Sequence, residues 1–171
     1  ACLVGSEMCI RDRCWYDVSI GDKTRHPDFV VFHPSRGLLV IEVKDWKLTT
    51  IQNIDKQSVV LNTEHGLKHE LNPLEQARQY MYVITNKLER DPQLVWPSGS
   101  LKGKPAFPYG HGVVLTNIDR KQFDEHNMEN VLPAHLVICK DEMTPGVDAE
   151  EFQKRLWLSL IHISEPTRQA E

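Results

Sequence analysis

Cysteine is scarce, four in 171 residues, and no two stand in a CxxC spacing. Cys2 and Cys9 lie in a terminal stretch that does not read as part of a fold, which leaves Cys14 and Cys139. Two such residues support neither a zinc site nor a disulfide framework, so a reducing, cytoplasmic setting is expected. Long hydrophobic runs are missing as well, and so is a basic start followed by an apolar core. With the first absence no membrane-spanning helix is expected of these residues, and with the second no secretory signal among them. Basic charge is not in excess either: 20 Lys and Arg stand against 24 Asp and Glu, a formal net charge of −4. That argues against a strong free-standing DNA binder, because non-specific affinity comes mainly from Lys and Arg on phosphates, but it leaves room for an enzyme whose carboxylates are neutralised by metal. Lys102, Lys104, Arg120 and Lys121 are local basic groups, each expected to be ordinary solvated charge. No glycine-rich phosphate loop occurs, so ATP-driven chemistry is not expected of this chain. No Gly-x-Ser-x-Gly or Cys/His pattern points to nucleophilic catalysis.

What the chain does have is a pair of apolar, β-branched runs, residues 26–32 and 38–44, separated by Pro34, Ser35, Arg36 and Gly37. Runs of this kind around a turn predict a β-hairpin. Closing it with Phe32 opposite Leu38 sets Asp28 opposite Glu42. Strand periodicity then gathers Asp28, Val30 and Phe32 with Leu38, Val40, Glu42 and Lys44 on one face. Directly opposed side chains lie about 4.5–5.5 Å apart at Cβ, and like charges placed there destabilise a sheet. A divalent cation between the two carboxylates gives such a pair a purpose, with Lys44 two residues along on the same face.

Pro27-Asp28 followed by Glu42-Val43-Lys44 resembles the PD-(D/E)XK nuclease signature. The stretch DFVVFHPSRGLLVIEVKDW, residues 28–46, resembles more closely the nuclease-related domain NERD, a bacterial branch of that superfamily. The likeness runs from about Trp15 to Trp157. It implies a restriction-endonuclease-like core: an α/β fold with a mixed central sheet flanked by helices. It also implies a nuclease using Mg²⁺ or Mn²⁺ to hydrolyse phosphodiester bonds in DNA, with a helicase domain in the same protein. Asp28, Glu42 and the Val43 carbonyl would be the metal ligands, and Lys44 would act on the attacking water or the phosphate. Gln76 and Tyr80 resemble the QxxxY motif that follows ExK in RecB-like members, and would position substrate or water. The alternative is a non-catalytic module of the same fold that binds nucleic acid or a protein. The oligomeric state, and the choice between DNA and RNA, stay open.

Around this hairpin, residues 15–20 are expected to form a first strand, and residues 46–51 and 58–61 a second hairpin turning at 53–55. Trp46 would then lie near the rim of the site, covering the core or stacking on a base. Residues 62–71 read as a polar connection in which His65 and His69 are exposed loop histidines rather than zinc ligands. The best-marked helix starts at Asn72, with Pro73 at its first position and Glu75 completing a capping box. Leu74, Ala77, Met81, Ile84 and Leu88 form its apolar stripe. Residues 92–109 read as a long loop, 111–116 and 135–139 as strands, 120–126 as a short helix and 148–158 as a closing helix. The ends, residues 1–13 and 159–171, resemble translated sequencing-adapter read-through and are taken as a non-native leader and tail around one domain, 14–158. Setting them aside leaves 17 basic against 20 acidic residues, a net of −3. The family's opening helix, with its further acidic residue, has no counterpart here, and Glu7 in the leader is not promoted to that role.

Overall fold

The computed structural model describes residues 13–20, 26–144 and 146–160. The expected leader and tail, Glu7 included, therefore lie almost wholly outside the described residues.

Three strands open the domain, β1 (Arg13–Tyr16), β2 (Phe29–His33) and β3 (Gly37–Lys44). They form an antiparallel meander with Trp15 opposite Val30 and with Phe32 opposite Leu38, the second being the register that the apolar pattern predicts. The first strand is shorter than expected. Asp17 takes a left-handed φ of 49° and turns the chain out of the sheet. The β2–β3 turn depends on Gly37, whose φ is +94° and whose absent Cβ would lie 1.8 Å from the Pro108 carbonyl oxygen. Only glycine fits both conditions.

After β3 the chain makes a 3-10 turn, Leu48–Thr50, and then a separate antiparallel sheet of β4 (Ile51–Ile54), β5 (Ser58–Thr63) and β6 (Gly66–Leu71). Two expectations are corrected here. The hairpin's first arm is 51–54 rather than 46–51, because the Asp55 carboxylate accepts from the Gln57 and Ser58 N–H groups and fixes the turn there. Residues 66–71 are a strand, not a connection. His65 lies in the turn before this strand and His69 within it, and both are exposed.

Helix α1 (Pro73–Leu88) returns the chain to the main sheet and packs on β3 and on β7 (Tyr109–Leu115). The loop between α1 and β7 is braced by a bridge from Val95 to Pro105. Helix α2 (Arg120–Glu125), strand β8 (Val137–Cys139) and helix α3 (Ala149–Leu160) complete the fold. The main sheet runs β1-β2-β3-β7-β8, with β7 parallel to both neighbours. It is a mixed α/β sheet with helices on both faces. One face carries Val113, Leu115, Val137 and Cys139 and packs with Phe123 of α2. The other carries Leu39, Ile41, Val114 and Ile138 beneath Phe152, Leu156 and Trp157 of α3. Among the described residues no helix is long and apolar enough to cross a membrane.

Candidate active site

Glu42 is the buried charge of the sheet, 1% exposed and flanked along β3 by apolar residues. β2 begins at Phe29, paired with Ile41, so extending the register one residue back sets Asp28 against Glu42. The Lys44 carbonyl accepts from Thr116 and the Leu38 N–H donates to Pro108, so even-numbered residues of β3 bond on the β7 side. Odd-numbered residues therefore bond towards β2, and the Asp28–Glu42 position is a non-hydrogen-bonded one, where side chains come closer. Ahead of β2, the Asp28 carboxylate takes over its role: Oδ2 accepts from the Val43 N–H at 2.7 Å.

The charges at Glu42 do not balance. Burial pushes its carboxyl up to about 7, the negative charge of Asp28 pushes the same way, and Lys44 pulls it down. Oε2 lies 3.4 Å from the Lys44 ammonium, while Oε1 is buried with no protein partner. A buried acceptor left in this way is costly unless a further group satisfies it. A hard cation fits the requirement, since it prefers oxygen donors and would relieve the repulsion from Asp28. Among the described residues no three His, Cys, Asp or Glu side chains gather as a metal-binding group, so a cation here would have no more than two carboxylates as side-chain ligands of these types.

Lys44 links the sheet to α1. Its Nζ donates to Glu42 and, at 3.3 Å, to the Gln76 side-chain oxygen. The Gln76 amide in turn donates to the Tyr80 hydroxyl at 3.1 Å. Gln76 and Tyr80 are one helical turn apart, and the start of α1 aims both at the site. Asn72 is 1% exposed, and its Oδ1 accepts from the Leu74 N–H while its Nδ2 donates to the Asp55 carbonyl. The expected capping box is not formed: the Asn72 N–H donates to the Gln57 carbonyl, and Glu75 bonds to Arg78 and Gln79 instead.

The five side chains singled out in the sequence are thus joined by contact, Asp28 through the Val43 backbone and the others through Lys44 and Gln76. Trp46 is not at the rim. It is 6% exposed, buried with Val59 and Leu61, and its ring centroid is 5.9 Å from the Lys44 ammonium, so it cannot stack on a base. Arg120 is likewise not a solvated charge: it is bound to Glu142 and to the Val137 carbonyl. Two features escape sequence reasoning. His111 lies opposite Val40 on the Glu42 face, 4% exposed and with Nδ1 unpartnered. Burial, then the Arg78 charge, lower its pKa to about 4, against an upward pull from Glu75. The other is the cleft itself, about 590 Å³, in which Lys44, Gln76 and Tyr80 face Lys68 and Glu70 of β6.

The family model of the nuclease-related domain, NERD, matches residues 10–116, stopping one residue beyond β7 rather than extending to Trp157. No curated protein and no solved structure matches the chain. The matched segment is more than half of the chain and contains the acidic hairpin and α1, and the chain belongs to the NERD, or nuclease-related domain, family.

Proposed function

We propose that this is a metal-dependent nuclease domain that hydrolyses phosphodiester bonds in DNA, within a larger helicase-linked, cytoplasmic DNA-processing protein. The observation that carries this reading is the buried, half-satisfied Glu42 beside Asp28, with Lys44 held next to it. Asp28, Glu42 and the Val43 carbonyl would hold Mg²⁺ or Mn²⁺. Such an ion, when bound, acidifies a water and clamps phosphate oxygens.

The chain's own groups do the rest. Lys44, fixed between Glu42 and Gln76, presents a positive charge to a phosphate oxygen or orients the attacking water. Gln76 accepts from Lys44 and donates to Tyr80, which settles the orientation of its amide. Because the Tyr80 oxygen accepts that bond, its own proton can be donated to a substrate oxygen. Burial of Glu42 keeps water from screening these charges.

The test is cleavage of a labelled DNA with Mg²⁺ or Mn²⁺ that EDTA abolishes. Glu42→Ala and Asp28→Ala should each remove most of the rate. Lys44→Ala should leave metal affinity in place and slow the chemistry on the order of 10²–10³-fold, the usual cost of one preorganised electrostatic contact. Tyr80→Phe should be milder. A second reading is favoured by the two-carboxylate site: a non-catalytic binding module of the same fold, for nucleic acid or for a protein. DNA binding without cutting under any divalent ion would establish that module and end the nuclease reading.

A further inference from the structure

The strand β6 is patterned the wrong way round for its sheet. In register, Lys68 lies opposite Leu61 and Glu70 opposite Val59, so both charges share the face on which Leu61 and Val59 are buried with Trp46. Leu67, on the other face, is 58% exposed. An edge strand that sets two charges on the face shared with Leu61 and Val59, and a leucine on the other, needs a reason. Here the charged face is a wall of the cleft, with Lys44, Gln76 and Tyr80 across from it.

Lys44 is already committed to Glu42 and Gln76. Lys68 is the other cation in the cleft, and its ammonium is 2.7 Å from Glu70 with the lysine side chain 64% exposed. Exposed ion pairs contribute little to stability and exchange partners readily. Gln79, three residues after Gln76 on α1, lines the same cleft.

We propose that β6 and α1 form a track for a single nucleic-acid strand, in which Lys68 binds a backbone phosphate next to the scissile one, Gln79 donates to the same backbone, and Glu70 occupies Lys68 until a strand displaces it. The proposal deepens the nuclease reading and rests on it for the identity of the ligand, but binding alone can test it. The competing account is that Lys68 only guards an edge strand against pairing with another chain.

The probe is a fluorescein-labelled single-stranded oligodeoxynucleotide, its anisotropy followed with the whole chain in EDTA across a salt series. Lys68→Ala should weaken binding severalfold and reduce the slope of log K against log salt by about one phosphate's worth, ~0.7 for a single strand. Lys68→Arg should restore it, and Glu70→Gln should tighten it. Lys154→Ala on α3, across the sheet, should change nothing. Failure of the wild type to bind the oligonucleotide overturns the track. So does Lys68→Ala that binds as the wild type does, or that merely self-associates on gel filtration. If Lys68 governs binding but no divalent ion supports cutting, the track stands and the nuclease reading falls. If the wild type cuts DNA but binding ignores Lys68, the reverse holds.

Discussion

Glu42 and His111 are two buried ionisable groups on the same face of the sheet, and their titrations act on stability with opposite sign. Glu42 has an ordinary value of 4.5 and a folded value of about 7, so the folded protein keeps its proton longer than the unfolded one. Its contribution is fully present below 4.5 and is lost as pH rises through about 7, to the extent of ~3 kcal/mol. For His111 the ordinary value is 6.5 and the folded one about 4, so its contribution is present above 6.5 and lost as pH falls through about 4. Between pH 4.5 and 6.5 the two slopes oppose each other and largely cancel. The expected outcome, from urea unfolding of metal-free protein across that window, is one slope exposed by each variant. Relative to wild type, Glu42→Gln should lose stability on acidification, and His111→Phe should gain it. Identical pH dependence in all three proteins would mean that neither group is perturbed as described. Only one of the pair is legible in the sequence. Glu42 breaks an apolar alternation opposite a second acid, whereas His111 is a single polar residue in a buried run with no spacing partner.

At the scale of elements, legibility tracks how many local signals agree. Helix α1 has a capping residue, a proline at its first position and an apolar stripe, and it forms over Pro73–Leu88 as those signals require. The stripe itself is rotated slightly: Ala77, Met81 and Thr85 are its buried positions, with Ile84 and Leu88 half-buried beside them. Strand β6 has no such signals. Charged and polar residues occupy half of it, and what makes it a strand is its ladder with β5. Asn72 is where the two elements meet, since it caps α1 and also ties the helix start to the Asp55 turn. Asn72→Ala removes the cap and leaves the Asp55 carbonyl without this donor. The expected destabilisation is about 2 kcal/mol, the sum of an ordinary cap loss and one further hydrogen bond. Urea unfolding at neutral pH measures it. A loss below about 0.5 kcal/mol would show that α1 is positioned by its apolar packing alone, and that Gln76 and Tyr80 do not depend on the cap.

At the scale of the whole molecule, the family match and the packing divide the chain differently. The match ends at Thr116, after every residue of the candidate site, yet the sheet's second face is closed by α3, more than thirty residues further on. Leu39, Ile41, Val114 and Ile138 are covered by α3, whose Trp157 is 6% exposed and meets the His33 ring edge-on at 5.9 Å between centroids. The opposite face needs β8 and α2 in the same way, through Val137, Cys139 and Phe123. The candidate site and much of the packing that covers the sheet therefore come from different parts of the chain. Cutting the chain after Thr116 should leave every site residue and α1 present but expose the face of β3 and β7 that α3 covers, together with the part of the other face that packs with α2. Such a fragment should lack a cooperative unfolding transition and bind a hydrophobic dye. A milder probe keeps the chain whole. Trp157→Ala should cost ~3–5 kcal/mol, the usual range for deleting a large buried aromatic, and should leave the site's own contacts untouched because they lie across the sheet. Calorimetry reads the first effect, and metal-dependent cleavage by the fraction still folded reads the second. A sharp transition retained by the fragment, or an unchanged melting temperature for Trp157→Ala, would show instead that the matched segment folds on its own and that α3 is an addition to it.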